Sequence, residues 1–305
     1  MAVVAMVNAG RWLSAVLVVL TGSTLTGCGG SARRHAATVV ASTDVWGSIA
    51  NAVTGRHVAV KPILSGPDTD PHSYMASPSD AAAITDAALV VYNGGGYDPW
   101  VDQVLARHPN VKSVDAYSFL PNADKGGDPP NEHVFYDLTV AKSVASSIAD
   151  RMAAIDPANA ADYRADAAAF CRGADAIAIS EHAIASAYPG AGVIATEPDA
   201  DYLLAATGLV NRTPAAFAAA SENGTDPSPA DMASVLDMID QRQVSALLVN
   251  PQTSSSALSR GLEDAARRAG VPVTEVTETL PDGIDYLTWQ RNTVNQLLAA
   301  LRSSR

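Results

Sequence analysis

Short runs of β-branched and aliphatic residues recur along this chain at intervals long enough to hold a helix. Residues 37–41, 58–64, 88–92 and 111–114 form four such runs in the first half, each with the length and composition of a buried strand. Between them, residues 44–53 and 79–86 carry helical patterning, the second opened by Pro78 and Ser79 as start signals. Strand, helix and strand in that order predict a parallel sheet with right-handed crossovers. The pattern returns after residue 190, where 192–196, 244–249 and 271–276 predict strands. Helices are expected over 202–206, 229–241 and 256–269, and a last helix over 286–301 closes the second half.

Residues 157–188 separate the two halves. Tyr163, Ala167, Phe170, Ala174 and Ile177 follow one another there at three- and four-residue spacing, without an internal proline or turn cluster. A helix of roughly thirty residues at about 1.5 Å each spans a small domain. The alternative, a pair of shorter helices, would break at Gly173.

The amino-terminal end has a different logic. Arg11 precedes an apolar run over 12–20 that is too brief for an ordinary membrane span and reads as a signal peptide. Leu25-Thr26-Gly27-Cys28 then has the small residues and cysteine of a lipobox, so that cleavage would remove 1–27 and leave Cys28 as a diacylated terminus. A plain signal peptide with an incidental cysteine is the alternative. The glycine- and serine-containing stretch over 28–36 supplies a flexible tether above a bilayer. Nothing else in the sequence reads as a membrane span. About 278 residues remain, enough for two lobes with a core each.

The formal charge of −12 becomes about −13 once Arg11 is lost with the leader. That balance argues against nucleic acid as a partner and agrees with collecting cations. With Cys28 acylated, Cys171 has no internal partner, so no disulfide framework is expected, and Cys171 reads as a small buried hydrophobe in a helical run.

Candidate chemistry collects where open α/β sheets bind ligands, beyond the carboxyl ends of their strands. His72, in Asp70-Pro71-His72-Ser73-Tyr74-Met75, lies in the loop after 58–64. His133, in Asn131-Glu132-His133-Val134-Phe135-Tyr136-Asp137-Leu138, lies after 111–114 at the start of an expected helix over 135–155. Glu197 directly follows 192–196, and Glu278 follows 271–276. Two neutral imidazoles and two carboxylates make a neutral site for a divalent ion. Mixed nitrogen and oxygen ligation without thiolate suits Mn, Fe or Zn. His35, His57, His108 and His182 lie outside such contexts and read as ordinary histidines. The chain carries no Walker lysine loop, so it cannot drive transport with ATP by itself.

The His72 and His133 segments resemble the substrate-binding proteins of bacterial ABC importers for manganese, zinc or iron. In that family the first ligand sits in an HSYEP-like turn and the second opens a helix as HVWLDP. The resemblance covers residues 37–302, and its specificity comes from the ordered set of motifs. It implies an α/β fold of two (β/α)4-like lobes, each a parallel sheet flanked by helices, joined by one long helix that restricts hinge motion. The lobes are expected over 37–156 and 189–305, with 157–188 as the linking helix. It also implies His72 and His133 as ligands from one lobe, with Glu197 as third ligand where many zinc binders have histidine and many manganese binders glutamate. The fourth ligand is normally aspartate in a Thr-Asp-Ser-like turn. This chain has Thr277-Glu278-Thr279, which favours Glu278 and leaves Asp282 and Asp285 as alternatives.

Other departures are Met75 where an acidic residue is usual, Phe135 for tryptophan, and Asn250-Pro251-Gln252 where Glu-Pro-Gln is common. A histidine-rich loop, common in zinc members, is missing from 122–130, which together with Glu197 favours Mn2+ over Zn2+. The expected protein is therefore a monomeric, non-enzymatic, lipid-anchored extracytoplasmic receptor. It would capture the ion between its lobes and deliver it to a membrane permease driven by a separate ATPase. A surface adhesin or a binder of a chelated metal is a rival reading. A metallohydrolase with two His and one Glu is another, but HExxH is lacking and four protein ligands would leave no open position.

Overall fold

The computed structural model describes residues 38–66, 71, 73–121, 123, 130–252 and 257–304. The signal peptide, the tether, Cys28 and His72 lie outside the described residues. In the first half, β1 (Thr38–Thr43), α1 (Asp44–Thr54), β2 (Ala59–Leu64), α2 (Pro78–Asp86), β3 (Leu89–Tyr92), α3 (Pro99–Arg107), β4 (Ser113–Asp115) and α4 (Leu138–Ile155) follow in order. Next comes α5 (Ala160–Ala187). The second half contains β5 (Gly192–Ala195), α6 (Asp201–Ala206), β6 (Val210–Asn211), α7 (Ala215–Glu222), α8 (Pro229–Asp240), β7 (Leu247–Val249), α9 (Ala257–Ala269), β8 (Val273–Glu275) and α10 (Tyr286–Ser303).

Each half builds one parallel sheet, ordered β2-β1-β3-β4 and β6-β5-β7-β8. The central strands β1, β3, β5 and β7 are buried along almost their whole length because helices cover both of their faces. Val39 and Ala41 of β1 face a core shared with α1, α4, α5 and α10, while Val40 faces the opposite cluster with Ile84, Val90 and Trp100. In the second half Val193 and Ala195 join the shared core. Ile194 turns to Phe217, Val235, Leu247 and Leu262.

Helix α5 runs unbroken through Gly173. A Cβ there would lie 2.5 Å from Leu287 Cδ1 of α10, so the glycine permits close approach of the two helices and offsets its helical disadvantage of about 1 kcal/mol. Tyr163, Ala167, Phe170, Ala174 and Ile177 are all buried along its inner face. Cys171 is half-buried, with Sγ 3.8 Å from the Lys142 carbonyl, and so is less enclosed than expected of a core residue.

Some boundaries differ from the sequence expectation. The helix after His133 begins at Leu138, because Asp137 caps it by accepting the amides of Thr139 and Val140. Residues 134–136 form a separate 3-10 turn. Strand β6 and helix α7 were not anticipated. The strand has two residues, and α7 buries only Phe217, so neither leaves a readable period. Among the described residues, no helix is long and apolar enough to cross a membrane.

Candidate metal centre

At the carboxyl end of β3, the chain passes through Asn93-Gly94-Gly95-Gly96, with φ of +75°, +65° and +94° at the glycines. Side chains rarely adopt these angles, and a Cβ on Gly95 would also collide with the Tyr117 ring. Asp98 closes the turn by accepting the amides of Asn93 and Gly94, each at 2.8 Å. Burial lifts the Asp98 carboxyl to about 6, against these hydrogen bonds. Asn93 Nδ2 donates to the Glu132 carbonyl at 2.8 Å, and Tyr117 donates to the Pro130 carbonyl at 2.9 Å. The turn thereby holds the segment that carries His133.

The His133 ring is 1% exposed and lies edge-on to Tyr97 and Phe135. Asn131 Oδ1 accepts both the His133 backbone amide at 2.8 Å and Nδ1 at 2.9 Å, while Asn131 Nδ2 donates to the Pro198 carbonyl at 2.8 Å. That carbonyl orients the Asn131 amide, so Nδ1 donates to Asn131 Oδ1 and Nε2 is the ring nitrogen turned towards the acids. Nε2 lies 3.6 Å from Glu222 Oε1 and 3.6 Å from Glu278 Oε2.

The carboxylates come from the second half. Glu197 follows β5 and Glu278 follows β8, 8% and 6% exposed. Asn250, after β7, donates Nδ2 to Glu197 Oε2 and to Glu278 Oε1, both at 2.9 Å. The asparagine in Asn250-Pro251-Gln252 thus brackets two acids with a donor, which a glutamate at that position could not do. Gln252 Oε1 accepts the Glu278 amide at 2.7 Å and so fixes the 277–279 turn.

Further contacts tie the two halves at this point. Tyr136 donates to the Thr277 carbonyl at 2.8 Å, Tyr202 to the Asn131 carbonyl at 2.6 Å, and Thr279 Oγ1 to the Gly66 carbonyl at 3.0 Å. Asp282 and Asp285 are exposed, and Asp285 caps α10 by accepting the Thr288 amide at 3.0 Å. Glu278 alone of those three acids reaches His133 at salt-bridge distance among the described residues.

Sequence reasoning missed Asn131, Asp199, Glu222 and Asn250. Asp199 is 1% exposed. Burial pushes its carboxyl well above the usual range, and Glu278, Glu197 and Glu222 push it the same way. Asn131 and Asp199 stand two residues from His133 and Glu197, a usable signal, whereas nothing in the Ala-rich α7 points to Glu222. Among the described residues, no group of three or more His, Cys, Asp or Glu side chains is placed to hold a metal ion.

The family model described as zinc-uptake complex component A, periplasmic, matches residues 39–300. The chain belongs to this family. Both sheets, His133, Glu197 and Glu278 fall inside the matched span. The chain is 26% identical over 136 residues to the manganese-binding lipoprotein MntA of Halalkalibacterium halodurans, covering 43% of this chain and 44% of that protein. It is 23% identical over 288 residues to the iron ABC transporter substrate-binding lipoprotein MtsA of Streptococcus pyogenes serotype M1, covering 87% and 86%. The chain therefore spans less than half the length of the first of these curated relatives and most of the second. Its fold is similar to the periplasmic zinc-binding protein TroA from Treponema pallidum, with a TM-score of 0.72 at 18% identity over 87% of this chain and 99% of that one. At that identity the likeness carries the fold alone.

Proposed function

We propose that the protein is an extracytoplasmic solute-binding protein that captures a divalent transition metal, Mn2+ or Zn2+, between its two halves. It then hands the ion to an ABC permease driven by a separate ATPase. The observation that carries this reading is His133 Nε2 facing Glu278 at 3.6 Å while Asn250 holds Glu197 and Glu278 together. His72, His133, Glu197 and Glu278 are the ligands in this reading. The first-half lobe is taken as 37–156 and the second as 189–305, with 157–188 between them. Three of the four ligands follow strand ends of two separate sheets, so a small relative movement of the halves would open the site and release the ion without any covalent step. The relatives' names speak for manganese and iron and the family model for zinc, and imidazole with carboxylate and no thiolate suits all three. The same names call two of them lipoproteins, which supports Cys28 as a lipid anchor.

The test is direct. Metal-stripped protein is titrated with Mn2+ and Zn2+ in competition, and metal per chain is counted after dialysis. One equivalent is expected for the parent and none for His133→Ala. A parent chain that retains neither ion refutes the reading.

A further inference from the structure

The end of the first sheet remote from His133 carries charge of the opposite sign. Ala88 precedes β3 and Lys112 precedes β4, and the Val90 amide donates to the Lys112 carbonyl at 2.9 Å. Beside these strand starts lies a cleft of about 490 Å³ with Ala88 and Ile155 in its walls. Arg107, His108 and Lys112 line it and are exposed, and among the described residues no acid does. Asp86 and Asp156 adjoin wall residues in the chain without lining the cleft, and Asp156 accepts from Asn159 and Tyr163 at 2.7 and 2.8 Å. Among the described residues none of the three cations enters an ion pair, whereas Arg56, Lys142 and Arg267 all do. In a chain of net charge −12, three unpaired cations around one concavity select an anion.

A second observation says which anion. The Ala88 amide donates to the carbonyl of Thr38, the first residue of β1, at 2.9 Å, so β1 starts against the wall of the cleft. Ten residues of chain lead from Cys28 to Thr38, a reach of at most about 35 Å. Arg33 and Arg34 fall within that stretch of sequence. A lipid anchor at Cys28 would therefore keep the cleft close to a bilayer surface, where each basic residue adds about fivefold to the affinity for anionic headgroups.

We propose that this cleft is a docking face for anionic phospholipid headgroups, engaged by Arg107, His108 and Lys112 and working together with a lipid anchor at Cys28. The inference rests on the anchored, extracytoplasmic reading above. The turn that holds the His133 segment leaves the carboxyl end of β3, and the cleft lies at the amino end of the same strand. A docked receptor thus turns His133 away from the bilayer, the orientation for capture, and must lift off to deliver.

The experiment uses the chain from Cys28 onward without acylation, which retains every described residue. It is sedimented with vesicles of phosphatidylcholine, alone or in an equal mixture with phosphatidylglycerol. Binding is expected to the mixed vesicles only, and Arg107→Gln/Lys112→Gln should weaken it about tenfold or more. Arg172→Gln/Arg291→Gln removes the same charge from α5 and α10 and should change it less than about twofold. Equal losses in these two double variants, or a loss confined to Arg33→Gln/Arg34→Gln, place the attraction outside the cleft and overturn the proposal. A chain that stays in solution with both vesicles also overturns it. Should inorganic phosphate raise the melting temperature of that unbound chain but not of Arg107→Gln/Lys112→Gln, the cleft belongs to a small soluble anion instead. Acylation is read separately, from the mass of the protein extracted from membranes. An unmodified Cys28 refutes the anchor reading, whereas vesicle binding that ignores the cleft variants refutes only the docking face.

Discussion

The two halves share one strand order but divide the chemistry between them. The first half holds the His133 imidazole in an aromatic setting and buries Asp98 against two backbone amides. The second half gathers Glu197, Asp199, Glu222 and Glu278 beyond shorter strands, with Asn250 bridging only two of them. A buried acid with amide donors belongs to the scaffold. Glu197 and Glu278 instead meet through a side-chain amide, and Glu222 stands partly exposed at the edge of the group. On the proposed function, the first half contributes a braced imidazole and the second the carboxylates.

The largest effect should come from removing the nitrogen. His133→Ala is expected to lower metal affinity more than about 100-fold, beyond the range seen when a ligand's supporting partner is lost, while leaving the metal-free melting temperature nearly unchanged. Calorimetric titration together with thermal unfolding checks both halves of that statement. Asp98→Ala should do the reverse: it strips two buried amides of their acceptor and should cost about 3 kcal/mol in urea unfolding. Should it instead abolish metal binding in a folded protein at unchanged stability, the division between scaffold and site collapses.

Glu181 in α5 is an internal control for a buried acid outside the metal centre. It is 2% exposed, and burial lifts its carboxyl from 4.5 to about 7, with Asp137 adding to and His182 opposing the rise. Below pH 4.5 both folded and unfolded chains hold the proton. Between 4.5 and 7 the unfolded chain ionises first, so stability falls as pH rises, and above 7 the deficit is constant. Glu181→Gln should therefore be more stable than the parent by about 2 kcal/mol at pH 8 and indistinguishable from it at pH 4. Equal unfolding curves at both pH values would remove this control. The smallest effect is expected from Asn250→Ala, which should weaken metal binding about tenfold, as read by competition with a chelator, because Glu197 and Glu278 lose their shared donor.

The legible parts of the fold are those where burial is two-sided. Strands β3 and β5 and the Val39–Ala41 centre of β1 read as apolar runs because helices cover both faces, and α5 shows its inner face through Tyr163, Phe170 and Ile177. Strand β6 and helix α7 escaped because two residues, or a single buried Phe217, make no pattern. The site divides in the same way. His133, Glu197 and Glu278 are candidates from their position after strands, and the structure brings Glu197 and Glu278 onto Asn250 and brings Glu278 to His133. The contact between Asn250 and Glu197 spans 53 residues of chain, and no local spacing encodes it.

What the sequence determined alone was the alternation of strands and helices, the long helix, and the residue types placed at strand ends, because these follow from local propensity and burial period. Only the tertiary structure decided which acids share a space. It turned Asp285 into a helix cap, placed Asn131 so that its amide sets the His133 tautomer, and brought Glu222 from an unremarked helix to within 3.6 Å of that ring. Electrostatic neighbourhood depends on distance through space, and the chain order of this protein carries that distance only after its two sheets have folded.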